Sequence, residues 1–79
     1  MSILQAIEIL KALGQFNSHW CDSHGDHHIY VSDEMGASEE FEDTIEVLKG
    51  EAIDFCEGFY LELQFSDGWL IIGFEGYEE

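Results

Sequence analysis

The sequence predicts an α+β fold in which two helices pack on an antiparallel sheet containing a C-terminal three-stranded meander. Three observations support this. Two segments with helical spacing of apolar residues each follow a serine that can cap a helix, and the last third alternates apolar and polar residues around an Asp-Gly turn. With only 79 residues, we expect a single domain over 1–79.

The first helix has clear boundary signals. Ser2 and Gln5 have the spacing of a capping box, and Gly14 can supply a left-handed terminal residue, which predicts a helix over 3–13. Apolar residues cover most of its surface. We therefore expect it to be buried on most sides, or to meet a second chain along one side.

A weaker pattern follows. The segment 27–32 alternates apolar and polar residues, which predicts a strand. A turn rich in Asp, Ser, His and Gly precedes it, so residues 18–22 are the expected partner strand.

The second helix begins with Ser38 as N-cap and ends at Lys49 and Gly50. Its apolar residues recur at helical spacing and predict one buried stripe. That stripe consists of Phe41, Ile45 and Leu48.

The meander is predicted over 51–55, 59–65 and 69–75. A two-residue Asp67-Gly68 turn would pair three sets of apolar residues across the last two strands. Those pairs are Phe65 with Leu70, Leu63 with Ile72, and Leu61 with Phe74. A three-residue turn, Cys56-Glu57-Gly58 with Gly58 left-handed, would pair Phe55 with Phe59 and Ile53 with Leu61.

Charge is the most unusual property of the chain. The formal net charge is -16, with 18 acidic residues against two lysines. A small domain needs a net charge of only roughly 2 to 8 for solubility, so part of the excess is expected to serve function. The absence of a basic patch argues against direct binding to nucleic acid or to an anionic membrane, and favours a basic protein partner.

The charge concentrates around the second helix. Five carboxylates fall within about 12 Å of helix axis, a linear density comparable to the phosphates of one DNA strand at about 3.4 Å spacing. Two more lie just before the helix and could extend the row. We call these seven residues the acidic row and predict that they bind the partner; they are Asp33, Glu34, Glu39, Glu40, Glu42, Asp43 and Glu46.

Other chemistry is weakly supported. All four histidines lie near Cys21, and Cys21 and His24 have the spacing of half a zinc site, but no second half is evident and we predict no metal. No nucleophile and base, no distinguished carboxylate pair and no phosphate-binding glycine loop are evident, so we predict neither an enzyme nor a cofactor. Trp69 and Ile71 are predicted on the second face of the meander, where they are either covered or form an exposed aromatic patch.

Location follows from what is missing. No apolar run approaches the roughly 20 residues that span a bilayer, and the first segment lacks the basic residue of a secretory signal. We expect a cytoplasmic protein of a bacterial host, monomeric or weakly dimeric, with Cys21 and Cys56 as free thiols.

In size, charge and build, with the acidic row as its main feature, the chain resembles the small acidic DNA-mimic inhibitors of phages and mobile elements, including several anti-CRISPR proteins. The resemblance implies a host defence protein as target, such as a CRISPR effector. Three alternatives remain: an immunity protein or antitoxin for a basic nuclease toxin, a subunit that assembles through Trp69 and Ile71, and a metal-binding module at Cys21 and His24.

Overall fold

A computed structural model describes residues 1–14 and 18–74; the side chains of Asp33 and Met35 lie outside the description. The elements in chain order are α1 (Ile3–Lys11), β1 (Ser18–Cys21), β2 (His27–Val31), α2 (Asp33–Gly36), α3 (Glu39–Glu51), β3 (Asp54–Glu57), β4 (Leu61–Phe65) and β5 (Gly68–Phe74). The predicted α+β class is confirmed. One turn of helix, α2, adds to the two expected helices.

The five strands form one sheet in the order β1-β2-β5-β4-β3. The predicted meander β3-β4-β5 is antiparallel, and so is the predicted hairpin β1-β2. The two units join through a parallel pair, β2 with β5, so the sheet is mixed rather than purely antiparallel. The continuous apolar run in β5 suits this central position between two neighbours.

Both main helices pack on one side of the sheet. The core comprises residues from α1, α3 and the three central strands: Ile3, Ala6, Ile7, Leu10, Ile29, Val31, Phe41, Ile45, Leu48, Leu61, Leu63, Phe65, Leu70 and Ile72. The predicted stripe of α3 is therefore buried. In α1 only one side is buried, while Leu4 and Ile9 are exposed on opposite flanks, which corrects the expectation of burial on most sides.

The helix starts were predicted well. Ser2 Oγ accepts from Gln5 N at 3.2 Å and Gln5 Oε1 accepts from Ser2 N at 2.8 Å, which completes the capping box. Ser38 Oγ likewise accepts from Phe41 N at 3.1 Å. Both side chains satisfy amide groups that have no partner within the helix.

The helix ends differ from the prediction. α1 ends at Lys11 and α3 continues to Glu51, so Gly50 lies inside the helix, and neither Gly14 nor Gly50 has a positive φ. Ala12 and Ala52 are the C-caps instead. The first strand of the meander consequently begins at Asp54 rather than at residue 51.

Both turns of the meander lie at positions other than those predicted. Phe65 pairs with Gly68, Leu63 with Leu70 and Leu61 with Ile72, so the turn residues are Ser66 and Asp67. The register shifts by two residues, which keeps every side chain on its predicted face. The upstream strand pairs Phe55 with Leu63, which moves the other turn to residues 58–60 and leaves Gly58 without a positive φ.

Tertiary contacts explain the displaced β4-β5 turn. Asp67 turns toward the start of α1, where its carboxylate accepts from Ile3 N at 3.1 Å. Gly68 has a φ of 138°, and a Cβ there would lie 3.2 Å from both Asp26 Oδ1 and the Ile3 side chain. These contacts hold the turn against α1 and are not visible in the local sequence. The last residue of the predicted strand 69–75, Glu75, lies outside the described residues.

Candidate partner-binding surfaces

The acidic row is exposed wherever its side chains are described. Glu34 lies on α2 and the other five carboxylates on α3, and all six are solvent-exposed. Asp33 begins α2, but its side chain is not described. α2 packs against α3, so Glu34 lies on the helix next to the other five carboxylates.

Helix geometry divides the row. At about 100° per residue, Glu39, Glu42, Asp43 and Glu46 fall within an arc of about 100° around the α3 axis. Glu40 lies outside this arc, about 60° beyond Asp43. Three of the acidic residues are in the first turn, where the positive end of the helix dipole favours anions. The surface is therefore a stripe of four carboxylates with Glu40 beside it.

Most of these carboxylates have no partner among the residues that the structure describes. Four side chains make no hydrogen bond or ion pair with any described residue: Glu39, Glu40, Glu42 and Asp43. The ion pairs found on α3 are those of Lys49 with Glu46 and Glu57. No described side chain of opposite charge offsets their mutual repulsion, which favours an external cationic partner.

Three other carboxylates have structural roles instead. Asp67 binds the start of α1, and Asp26 Oδ1 accepts from Trp69 N at 3.1 Å. Asp22 organises the β1-β2 turn by accepting from the amides of His24 and Asp26 at 2.9 and 3.0 Å. Its Oδ2 lies 2.8 Å from His28 Nε2, and this hydrogen bond, reinforced by the two amides, lowers the Asp22 pKa to about 2.

A groove lies beside the acidic stripe, between α3 and the β3-β4 turn. Lys49 Nζ lies 2.7 Å from Glu57 and 3.6 Å from Glu46, and 5.0 Å from the centre of the Phe55 ring. These contacts raise the Lys49 pKa, and the main cause is the hydrogen bond that the Lys49 ammonium group donates to Glu57. The lysine side chain is only 16% exposed, so it is held against the protein.

The groove has a volume of about 400 Å³ and combines an acidic rim with an apolar floor. The rim contains Glu42, Asp43, Glu46 and Glu57, against the single ammonium group of Lys49. The floor contains Phe41, Ile45, Tyr60, Leu61 and Phe74. We call this the acidic groove. Sequence reasoning missed Glu57 and Tyr60 because it placed Glu57 in a turn that does not form there.

The histidine segment forms contacts within itself. His19 Nε2 and His27 Nδ1 lie 3.1 Å apart with their rings stacked, and His28 is bonded to Asp22. No group of three or more potential metal ligands occurs in residues 1–14 and 18–74. Cys21 and Cys56 are free and lie on opposite edge strands, about 19 Å apart at 4.8 Å per strand, so Cys56 cannot complete a site at Cys21.

The second face of the sheet lies opposite α1 and α3, and we call it the open face. Trp69 and Ile71 do lie there, as predicted, and both are partly exposed. The parallel pairing brings His28 and Tyr30 to the same face, and β1 adds Trp20. The sequence could not reveal this combination, because it depends on which strand β2 joins.

The longest described helix, α3, has 13 residues, and none of the helices in the described chain has the length and apolarity needed to cross a bilayer. Comparisons with protein-family models, curated proteins and solved structures find no match to this chain.

Proposed function

We propose that this protein is an acidic DNA-mimic inhibitor that binds and blocks a basic, nucleic-acid-binding surface of a host defence protein, in the manner of anti-CRISPR proteins. The observation that carries the proposal is the set of exposed carboxylates at the start of α3 that have no partner among the described residues: Glu39, Glu40, Glu42 and Asp43. Such a set resembles a row of phosphates because it presents closely spaced anionic oxygens to lysine and arginine side chains.

Geometry supports the analogy. α3 has 13 residues and so spans about 18 Å at 1.5 Å per residue, which equals about five phosphate spacings of one DNA strand. Lysine and arginine bind carboxylate oxygens much as they bind phosphate oxygens. A net charge of -16 would also attract a basic target over the Debye length of about 8 to 10 Å and accelerate association.

Charge reversal tests the proposal. The variant E39K/E40K/D43K alters three exposed residues that lie outside the buried stripe, so the fold should persist. A matched control, E8K/E51K/D54K, changes exposed carboxylates outside the acidic row. Each reversal adds two charges, so both variants move from -16 to -10 and differ only in where the charge is lost.

The assay uses tagged protein as bait in a bacterial lysate at low and then moderate salt, with mass spectrometry and competition by double-stranded DNA. We expect a DNA-binding protein that is captured by the wild type and by the control, is lost with the α3 variant, and is released by DNA. If the α3 variant keeps a native circular dichroism spectrum and still captures this protein, the DNA-mimic role of α3 is wrong.

The acidic groove favours a second candidate, an immunity protein or antitoxin for one basic nuclease toxin. Apolar side chains beneath a charged rim are typical of partner-specific anchors, whereas a phosphate surrogate needs only charge. This function predicts one partner that remains bound at moderate salt and ignores DNA. Substituting Phe41 is unsuitable as a test because it is buried; Tyr60→Ala, at an exposed residue, should weaken that complex and leave a charge-only complex unchanged.

A further inference from the structure

The open face carries a concave site of about 450 Å³ at its centre. It lies across β2, β5 and β4, with β1 at its margin. The side chains that shape it are mainly aromatic, with one carboxylate. We call it the aromatic cleft; its principal residues are Trp20, His28, Tyr30, Tyr60, Glu62 and Ile71.

Strand register places these side chains in two rows. In one row Glu62 is opposite Ile71, which is opposite His28, which is opposite Trp20. In the next, Gly73 pairs with Tyr30 and lies close to Tyr60. The two walls, on β2 and β4, therefore flank a floor formed by β5.

Gly73 makes the cleft possible. A Cβ at this position would lie 2.2 Å from Tyr30 Cε1 and 3.1 Å from Tyr60 Cδ1. Both rings therefore cover the backbone at Gly73, and a ligand contacts them from the solvent side of the sheet. On the other side of Tyr30, Trp20 lies at a ring distance of 5.7 Å and stacks on His28 at 4.9 Å, nearly parallel at 5°.

The dimensions suit a cationic group. β2 and β4 are separated by β5, so their backbones are about 10 Å apart at about 4.8 Å per strand. A cation that contacts the rings from the solvent side lies within the roughly 6 Å over which an aromatic face attracts it. The carboxylate of Glu62 lines the same cleft and supplies a formal negative charge.

Neither lysine of the protein reaches this place. The chain has two basic residues, Lys11 and Lys49, and Lys49 is paired with Glu57 at the acidic groove. Lys11 ends α1, on the opposite side of the sheet. Trp20 and Tyr60 meanwhile remain 44% and 40% exposed.

We propose that the aromatic cleft binds an arginine side chain of a protein partner, with the guanidinium stacked against the aromatic rings and paired with Glu62. Arginine fits better than lysine because its planar, weakly hydrated guanidinium can stack on a ring and also form a bidentate contact with a carboxylate. The site lies on the open face and shares Tyr60 with the acidic groove, but it does not depend on the acidic row acting as a DNA surrogate.

Nuclear magnetic resonance titration tests this with a defined probe, Nα-acetyl-arginine amide, against 15N-labelled full chain. We expect saturable shifts at the Trp20 indole and at the amides of Ile71 and Gly73. The neutral citrulline analogue, which keeps the shape and loses the charge, should bind at least about tenfold more weakly. Glu62→Gln and Trp20→Leu should each weaken the arginine probe about two- to fivefold.

The E39K/E40K/D43K variant separates this site from the acidic row, since it should leave the cleft shifts intact even if the DNA-mimic function fails. Shifts confined to α3, or equal binding of the citrulline analogue, would overturn the proposal. So would cleft shifts produced by a short thymidine oligomer at comparable concentration, which would indicate base stacking. Cleft shifts that depend on protein concentration without a probe would assign the face to a second copy of the chain.

Discussion

Gly73→Ala tests the packing beneath the aromatic cleft. In most extended positions a Gly-to-Ala change raises stability by about 0.4–1 kcal/mol, because it reduces the freedom of the unfolded chain. Gly73 should behave in the opposite way, since the new methyl group would lie 2.2 Å from Tyr30 Cε1, closer than real Cβ contacts occur. Tyr30 must then leave its place over β5.

The magnitude follows from overpacking, which costs about 1–3 kcal/mol in a well-packed site. After subtraction of the backbone gain, we expect Gly73→Ala to lower the free energy of unfolding by about 1–2 kcal/mol. In a Tyr30→Ala background the clash with Tyr30 is absent, and the 3.1 Å approach to the exposed Tyr60 ring can relax. The same substitution should then be neutral or stabilising.

Urea denaturation of the four proteins in this double-mutant cycle, followed by circular dichroism, measures the coupling between positions 30 and 73. We expect a coupling energy of about 2 kcal/mol. A Gly73→Ala protein as stable as the wild type, with Tyr30 present, would refute the close packing of the Tyr30 ring on Gly73.

Three further predictions concern charge and helix propensity. Raising salt from low to moderate concentration should raise the melting temperature, because it screens the self-repulsion of a chain with net charge -16; a decrease would contradict this. The pKa of His19 is lowered from the ordinary value of 6.5, first by burial and then by His27 and Lys11. Between the folded pKa and 6.5, the unfolded chain therefore binds more protons than the folded chain. The free energy of unfolding should therefore fall as the pH drops through 6.5, and the His19→Gln variant should lose this part of the decline in pH-dependent denaturation. Gly50→Ala should stabilise by about 0.5–1 kcal/mol in urea denaturation, because Gly50 lies inside α3 and a Cβ there meets nothing within 4 Å; a loss of stability would place the end of α3 before Gly50.

The acidic residues divide into two groups with different consequences for experiments. Asp22, Asp26 and Asp67 hold turns and strand ends together, so their replacement would change the fold and the surface at once. The acidic row has no such role among its described side chains apart from Glu46, which contacts Lys49. Functional variants should therefore be drawn from α3 rather than from the turns.

Local patterns in the sequence determined where the two main helices start, which face each strand residue occupies, and the exposure of the α3 carboxylates. Ser2 and Ser38 satisfy amides three residues away, and the α3 stripe repeats every three to four residues, so both features depend only on neighbours along the chain. The face of each β4 and β5 residue was also correct, because strand alternation survives a register shift of two.

Tertiary structure decided the strand register and the parallel β2-β5 pair. It also decided which residues outside α3 line the acidic groove and the aromatic cleft. The β4-β5 turn depends on Asp67 binding the amide of Ile3, 64 residues away, and the partner of β2 is set by packing between distant segments. For the same reason Glu57 joins the acidic groove, and Tyr30 meets Gly73, only once the sheet has assembled. Local sequence carries the propensity of each segment, whereas contacts between segments depend on the free energy of the whole packed arrangement.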